Sequence, residues 1–279
     1  MNSTWLKTIG RVAFMNCDPL FFNLSAEWNI LAAPPAWLTG HVLNKDCILA
    51  PIPTADYAKY RDELVVIPDI VIGSKGEVGS VLLFGHVPIE EMKRIAVPTD
   101  SATSIALLKY LISRVNTDID YIPTGPDFDS MMSIADGALL IGDRALEAAK
   151  FHPDKKLLDL GEAWYELTHT SMIFGVFVAR KDTPVEYIFK AKKALYENLM
   201  KFEHSTDQRE AVVEFASQRS GISKERLNTY FGEVFNRFSP HHTEGLNRFL
   251  CDVFQQSEAE FAWKGEEYGN FSMMKSVEI

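Results

Sequence analysis

The 279-residue chain carries 28 basic and 38 acidic side chains, a formal net charge of −10, and its residues are 47% hydrophobic and 24% charged. That balance describes a folded globular protein, and its acidity excludes nucleic acid as a partner, because phosphate binding needs a clustered basic surface. No apolar run reaches the ~18 residues of a membrane span, and residues 1–15 lack the basic, apolar and small-residue segments of an export signal, so a cytoplasmic protein without membrane partners is expected.

Short apolar runs alternate with amphipathic segments from the start of the chain, the pattern of an α/β protein. Ile9–Met15 reads as a strand and Asp18-Pro19 as a helix start. Cys47–Ile52 is a second strand, leading through Pro53-Thr54 into a helix over Ala55–Lys59. Leu64–Ile72 and Ser80–Val87 read as longer strands separated by a turn containing Gly73, Gly76 and Gly79. Arg94–Val97 follows as a strand, and Asp100-Ser101 supplies an N-cap for a helix with Ile105, Leu108, Leu111, Ile112 and Val115 on one face. Ala138–Ile141 is a strand stopped by Gly142-Asp143, with a helix over Arg144–Ala149. Met172–Ala179 reads as a buried strand, and the chain beyond it as almost wholly helical, including a stripe through Ile188, Ala191, Leu195, Leu199 and Phe202. Ser239-Pro240 starts a last helix through Leu246, Phe249, Leu250 and Phe254.

This order predicts a lobe of residues 88–176 inserted into a discontinuous lobe of residues 1–87 and 177–279. Ser80–Val87 and Met172–Ala179 are the two crossing strands, and the cleft between the lobes is the default ligand site.

There is no GxxxxGK[ST] loop, GxGxxG, GxSxG or HExxH in the chain. His241-His242 are adjacent, so their side chains diverge and an exposed loop pair is expected in place of a metal site. Cys17, Cys47 and Cys251 are too scattered for a disulfide framework or zinc and are expected as buried small hydrophobes. Polar residues at strand-to-helix junctions remain. Residues 99–104 open a helix with Ser101, Thr103 and Ser104, where unpaired backbone N–H groups and the helix dipole suit a carboxylate, or where the hydroxyls serve only as caps. Gly142-Asp143 is a similar junction. Asn16 stands at the carboxyl end of a strand, where open α/β sheets bind ligands, and Ser80 begins a crossing strand; either also fits an ordinary turn.

Beyond these separate readings, several segments carry a resemblance in order: Ile9-Gly10-Arg11-Val12-Ala13-Phe14-Met15-Asn16-Cys17-Asp18-Pro19-Leu20, Ala50–Ala58, Ser80–Phe84, Ser101–Leu108, Leu140–Leu146, Leu160–Trp164 and Thr243–Phe249. Together they resemble the MqnA family, the chorismate dehydratases of the futalosine route to menaquinone. The resemblance implies a clamshell of the periplasmic-binding-protein type II fold, with two α/β lobes joined by two crossing strands. It also implies elimination of water from chorismate, a small dicarboxylate, to give 3-[(1-carboxyvinyl)oxy]benzoate without a cofactor or metal. Asn16 and Ser80 fall on family positions associated with the active site. The Ser101–Ser104 helix start and Thr54 would hold the carboxylates, and Asp143 is a candidate for the base, as is a substrate carboxylate. Three departures stand out: Ala102 where the family carries Arg, Pro53-Thr54 in place of Ser-Ser, and His169-Thr170-Ser171-Met172 in place of a Gly-Leu-Pro-Phe run. The competing functions are a non-catalytic solute-binding protein, which normally works outside the cytoplasm, and a sister lyase acting on cyclic dehypoxanthine futalosine.

Overall fold

The computed structural model describes residues 3–263; the tail from Gly265 onward, for which the sequence suggests no role, lies outside them. The chain opens with strand β1 (Thr8–Val12), a tight turn over Met15–Cys17, and helix α1 (Asp18–Phe21). Strand β2 (Asn29–Ala33), helix α2 (Pro35–Leu43), strand β3 (Ala50–Pro53), helix α3 (Thr54–Tyr60) and strand β4 (Leu64–Ser74) follow. A second unit runs through β5 (Val81–Gly85), β6 (Arg94–Pro98), α4 (Ala102–Ile112), β7 (Asp120–Thr124) and α5 (Phe128–Ile134). It continues through β8 (Gly137–Ile141), α6 (Gly142–Phe151), β9 (Lys156–Asp159) and α7 (Leu160–Thr168). The last part is β10 (Met172–Arg180), helices α8 (Val185–His204), α9 (Thr206–Ser220) and α10 (Lys224–Glu233), strand β11 (Val234–Arg237) and helix α11 (Pro240–Phe254).

The two lobes share one strand order. In the second unit it is β7-β6-β8-β5-β9, with β7, β6 and β8 parallel and β5 antiparallel to both its neighbours. In the other lobe β2 pairs in parallel with β1, and β1 joins the approach to β3 through the bonds Gly10 N–Leu49 O and Ile48 N–Thr8 O, both 2.8 Å. Beyond β3 come β10, β4 and β11, each antiparallel to its neighbour. Each lobe is thus a βαβαβ unit with one antiparallel strand inserted beside its third parallel strand, β10 in the first and β5 in the second, and the first lobe carries β11 as an additional edge strand. The chain passes between the sheets at residues 75–80, just before β5, and at 169–171, just before β10.

Alternation builds the second lobe. Leu83, Ile95, Val97, Leu139 and Ile141 face α4 and α7, while Leu82, Phe84, Ala96, Ala138 and Leu140 face α5 and α6. Strands buried on both faces read as unbroken apolar runs, which is why the sequence announces them. The four strands without such runs, β2, β7, β9 and β11, are the four sheet edges, half exposed along much of their length. On α4, Leu108 and Ile112 of the expected stripe are buried together with Thr103, Ser104 and Leu107, Ile105 and Leu111 are partly buried against the same core, and Val115 lies exposed beyond the helix end. Cys17 and Cys47 are buried as expected, but Cys251 is exposed on α11. His241 and His242 are also not a loop pair: they occupy the first turn of α11, where His242 Nδ1 accepts from Ser239 N at 3.1 Å and the ring stacks on Phe235.

The passage at 75–80 is fixed by one buried carboxylate. Asp159, the N-cap of α7, accepts from Gly161 N (2.9 Å) and Glu162 N (3.1 Å), and also from Val78 N (3.1 Å) and Gly79 N (2.8 Å). Replacing it by alanine leaves four backbone N–H groups without their acceptor, two of them in the inter-lobe segment. Asp159→Ala should lower unfolding stability by about 2–4 kcal/mol, read as a fall in the urea midpoint; an unchanged midpoint would show that water replaces the carboxylate.

Candidate active site

Four strand-to-helix junctions converge between the lobes. The ends of β1 and β3 deliver Asn16 and Pro53 from one side, and the ends of β6 and β8 deliver Ser101 and Gly142 from the other. They enclose a cavity of about 570 Å³, counting its open mouth. Its walls are mostly apolar, with Phe14, Pro35, Ile52, Ile72, Ile141 and Phe174 among them, and its polar side chains are Asn16, Ser80, Ser101, Thr103 and Ser104. Among the described residues no acidic, basic, histidine, cysteine or tyrosine side chain lines it.

Five of the seven site candidates from the sequence therefore meet in one place. Asn16 Oδ1 is buried there without a hydrogen-bond partner. Ser101 Oγ donates to Ser104 Oγ at 2.7 Å, and Thr103 Oγ1 accepts from Ala55 N at 3.1 Å, tying α4 of one lobe to the start of α3 in the other. The other two sit behind the walls. Thr54 is wholly buried and its hydroxyl donates to Ile173 O at 2.7 Å, which ties β3 to β10 and leaves no donor for a ligand. Asp143 Oδ1 accepts from Met15 N at 3.0 Å, holding the turn that carries Asn16. Burial pushes the Asp143 carboxyl above its ordinary range, although the Met15 bond and nearby arginines pull it back. The segment His169–Met172, where the chain departs from the family pattern, is the second passage between lobes and is not in the cavity wall.

Sequence patterns alone pass over Pro35, Phe14 and Phe174, because apolar wall residues look like core. Gly142 was visible as a turn, but its role is geometric: φ is +60°, its N–H donates to Ser80 O at 2.7 Å, and an added Cβ would lie 2.7 Å from the Phe14 ring.

The helix starts around the cavity differ from most others in the molecule. Helices α5, α7, α9 and α10 have their first N–H groups capped by Asp127, Asp159, Ser205 and Ser223. Helices α3, α4 and α6, which open on the cavity, have no side-chain cap, a property shared with α1, α2 and α8. At each start the dipole concentrates about half a positive charge on N–H groups without intrahelical partners. Behind the Asn16 turn, wholly buried Asp18 pairs with Arg11 and, at 3.0 Å, with Arg219. Burial raises the Asp18 carboxyl to about 6 against the pull of both arginines, and burial likewise raises the neighbouring Cys17 thiol to about 12. Arg144 lies over the Phe14 ring and bonds Asp100 at 2.8 Å, so its charge is already engaged.

Two like-ordered lobes around a ligand-sized cavity, with their helix starts turned inward, define a protein of the type II periplasmic-binding fold. A structure described as having the generic periplasmic binding protein fold, from Candida albicans, superposes with a TM-score of 0.61 at 12% identity, covering 93% of this chain and 98% of that one. A structural-genomics protein from Archaeoglobus fulgidus superposes with a TM-score of 0.69 at 18% identity, covering 89% and 95%. The chain belongs to the menaquinone biosynthesis family, whose sequence model matches residues 7–253. A relative from Thermus thermophilus, named chorismate dehydratase, is 31% identical over 198 residues, 63% of this chain and 70% of that protein.

Gly142→Ala combines a left-handed backbone with a side chain driven into Phe14, a strain of about 1–2 kcal/mol before any cavity is lost. The folded variant should bind ligand at least about tenfold more weakly in calorimetry; wild-type affinity would mean that the Phe14 wall moves freely.

Proposed function

We propose that the chain is a chorismate dehydratase acting in menaquinone biosynthesis, a carbon–oxygen hydro-lyase. One observation supports this reading most strongly: family membership runs through both lobes, and the cavity they enclose offers hydroxyls, an amide and helix starts but, among the described residues, no ionisable side chain.

The chemistry asks for little else. Chorismate carries two carboxylates, and its ring loses one C–H proton and the hydroxyl on the neighbouring carbon. The C–H electron pair becomes a ring π bond, the C–O bond breaks, and hydroxide leaves with the proton as water. Aromatisation drives the reaction, so the protein has to position the substrate, exclude bulk water and stabilise developing charge. The Asn16 amide and the Ser80 hydroxyl polarise the departing oxygen and orient the ring. The uncapped N–H groups of α4, together with Ser101, Thr103 and Ser104, hold a carboxylate. Thr54 supports β3 from behind. Asp143 positions the Asn16 turn through Met15 and is not the base in this reading; the ring proton passes to a carboxylate of the substrate, which gives it up to the departing hydroxide so that one water leaves. The lobe boundaries are drawn at the passages 75–80 and 169–171 instead of at 87/88 and 176/177, because β5 pairs within the second sheet and β10 within the first, and the lobes close about those passages. No step uses a cofactor or metal, and the reaction is assigned to the cytoplasm.

Asn16→Ala and Ser80→Ala should each lower kcat by about 10²–10³, the usual cost of removing one preorganised donor, while the purified wild type converts chorismate to a product lighter by one water. Mass spectrometry and the ultraviolet spectrum of the aromatic product read both results. Wild-type turnover in both variants would remove Asn16 and Ser80 from the mechanism; binding of chorismate without product would make the protein a binding protein.

A further inference from the structure

Helix α10 places a tyrosine directly behind the cavity wall. Tyr230 is wholly buried, and its hydroxyl has no hydrogen-bond partner among the described residues. Its ring is fixed by packing: Phe231 lies at 5.7 Å and the Arg226 guanidinium over its face at 5.9 Å. The side chain next to the hydroxyl is Ser80, while Asp143, Cys17 and Glu233 act on it only through space. The two hydroxyls are neighbours that do not form a hydrogen bond in this arrangement. Ser80 itself is held by its backbone, whose carbonyl accepts from Gly142 N at 2.7 Å, and its side chain forms part of the cavity wall.

A buried hydroxyl without a partner weakens a fold, and phenylalanine fills the same space without that penalty. Such an expense is typical of functional positions, where local rules are broken for the site. A serine hydroxyl has one hydrogen and two acceptor lone pairs, so it turns freely unless a neighbour fixes it. A donor behind Ser80 removes that freedom: with the phenol hydrogen on Ser80 Oγ, the serine hydrogen is left to point into the cavity.

We infer that Tyr230 is a positioning residue that donates to Ser80 Oγ and so aims the Ser80 proton at the departing oxygen of the substrate. The inference rests on the proposed role of Ser80 and adds the group that orients it. Tyr230 touches no substrate atom, and its effect passes entirely through the serine.

The test compares wild type, Tyr230→Phe, Ser80→Ala and the double variant, with chorismate as ligand. Tyr230→Phe should keep or raise the melting temperature, lower kcat by about tenfold, the loss of one hydrogen bond's worth of transition-state stabilisation, and leave KM nearly unchanged. The double variant should be no slower than Ser80→Ala alone, because the tyrosine acts only through the serine. Unchanged kcat in Tyr230→Phe, or effects of the two substitutions that multiply, would overturn the inference, and a fall in melting temperature with intact kcat would mark Tyr230 as structural. If the wild type binds chorismate without converting it, the dehydratase reading fails by itself; Tyr230 is then judged by the Kd, which should weaken in Tyr230→Phe and no further in the double variant. A wild type that neither binds nor converts chorismate overturns both.

Discussion

The fold turns on a mismatch of charge. A molecule of net charge −10 presents a cavity with no ionisable side chain in its wall among the described residues, yet its proposed guest is doubly negative. The positive potential has to come from the backbone, concentrated at the starts of α4 and α6, whose N-cap residues make no side-chain cap bond, and of α3, where Thr103 takes the Ala55 N–H and leaves the rest of the first turn. Backbone dipoles do not titrate and need little reorganisation, which suits a reaction whose driving force is aromatisation. Ala102, where the resemblance implies arginine, fits the same pattern: the helix start supplies the attraction without a guanidinium.

The lobes depend on one another through several contacts outside the cavity. Thr103 accepts from Ala55 across the cleft, Asp159 anchors the first passage, and an apolar seam joins Trp164 of α7 to Phe249 of α11 with ring centroids 5.7 Å apart. Met172 and Phe174 of β10 pack into that seam along with Leu107 and Leu108 of α4. At the second passage α11 comes so close to the Ser171 backbone that only glycine fits at position 245. The closed arrangement is therefore held by apolar contact and backbone bonds, with the Arg226–Glu233 ion pair packed against Gly79 of the first passage.

Much of this was legible in the sequence because buried strands and junction residues leave strong marks. The apolar runs at 81–85, 137–141 and 172–179 identify central strands, and a chain that enters and leaves a βαβ unit implies two lobes. The edge strands were invisible for a physical reason: β7, with sequence Asp-Tyr-Ile-Pro-Thr, buries no residue fully and shows no alternation to detect. Asn16, Ser80 and the Ser101–Ser104 turn were identifiable because a polar group at a strand's carboxyl end has few structural reasons to be there. Thr54 and Asp143 carry the same sequence signal but face away from the cavity, a distinction set by side-chain direction at the junction. Tyr230 gave no signal, since an aromatic residue on a helix is indistinguishable from core until its hydroxyl is seen without a partner.

The burial of Cys17 and Cys47 beside an exposed Cys251 has a practical corollary. Their thiols are protected by packing and by depressed acidity, each raised by burial to about 12, so thiol-directed reagents should meet one site in the native protein. That site lies on α11, the helix that spans the seam between the lobes. A fluorophore or spin label attached there reports on lobe movement in the wild-type chain, with no cysteine removed or introduced.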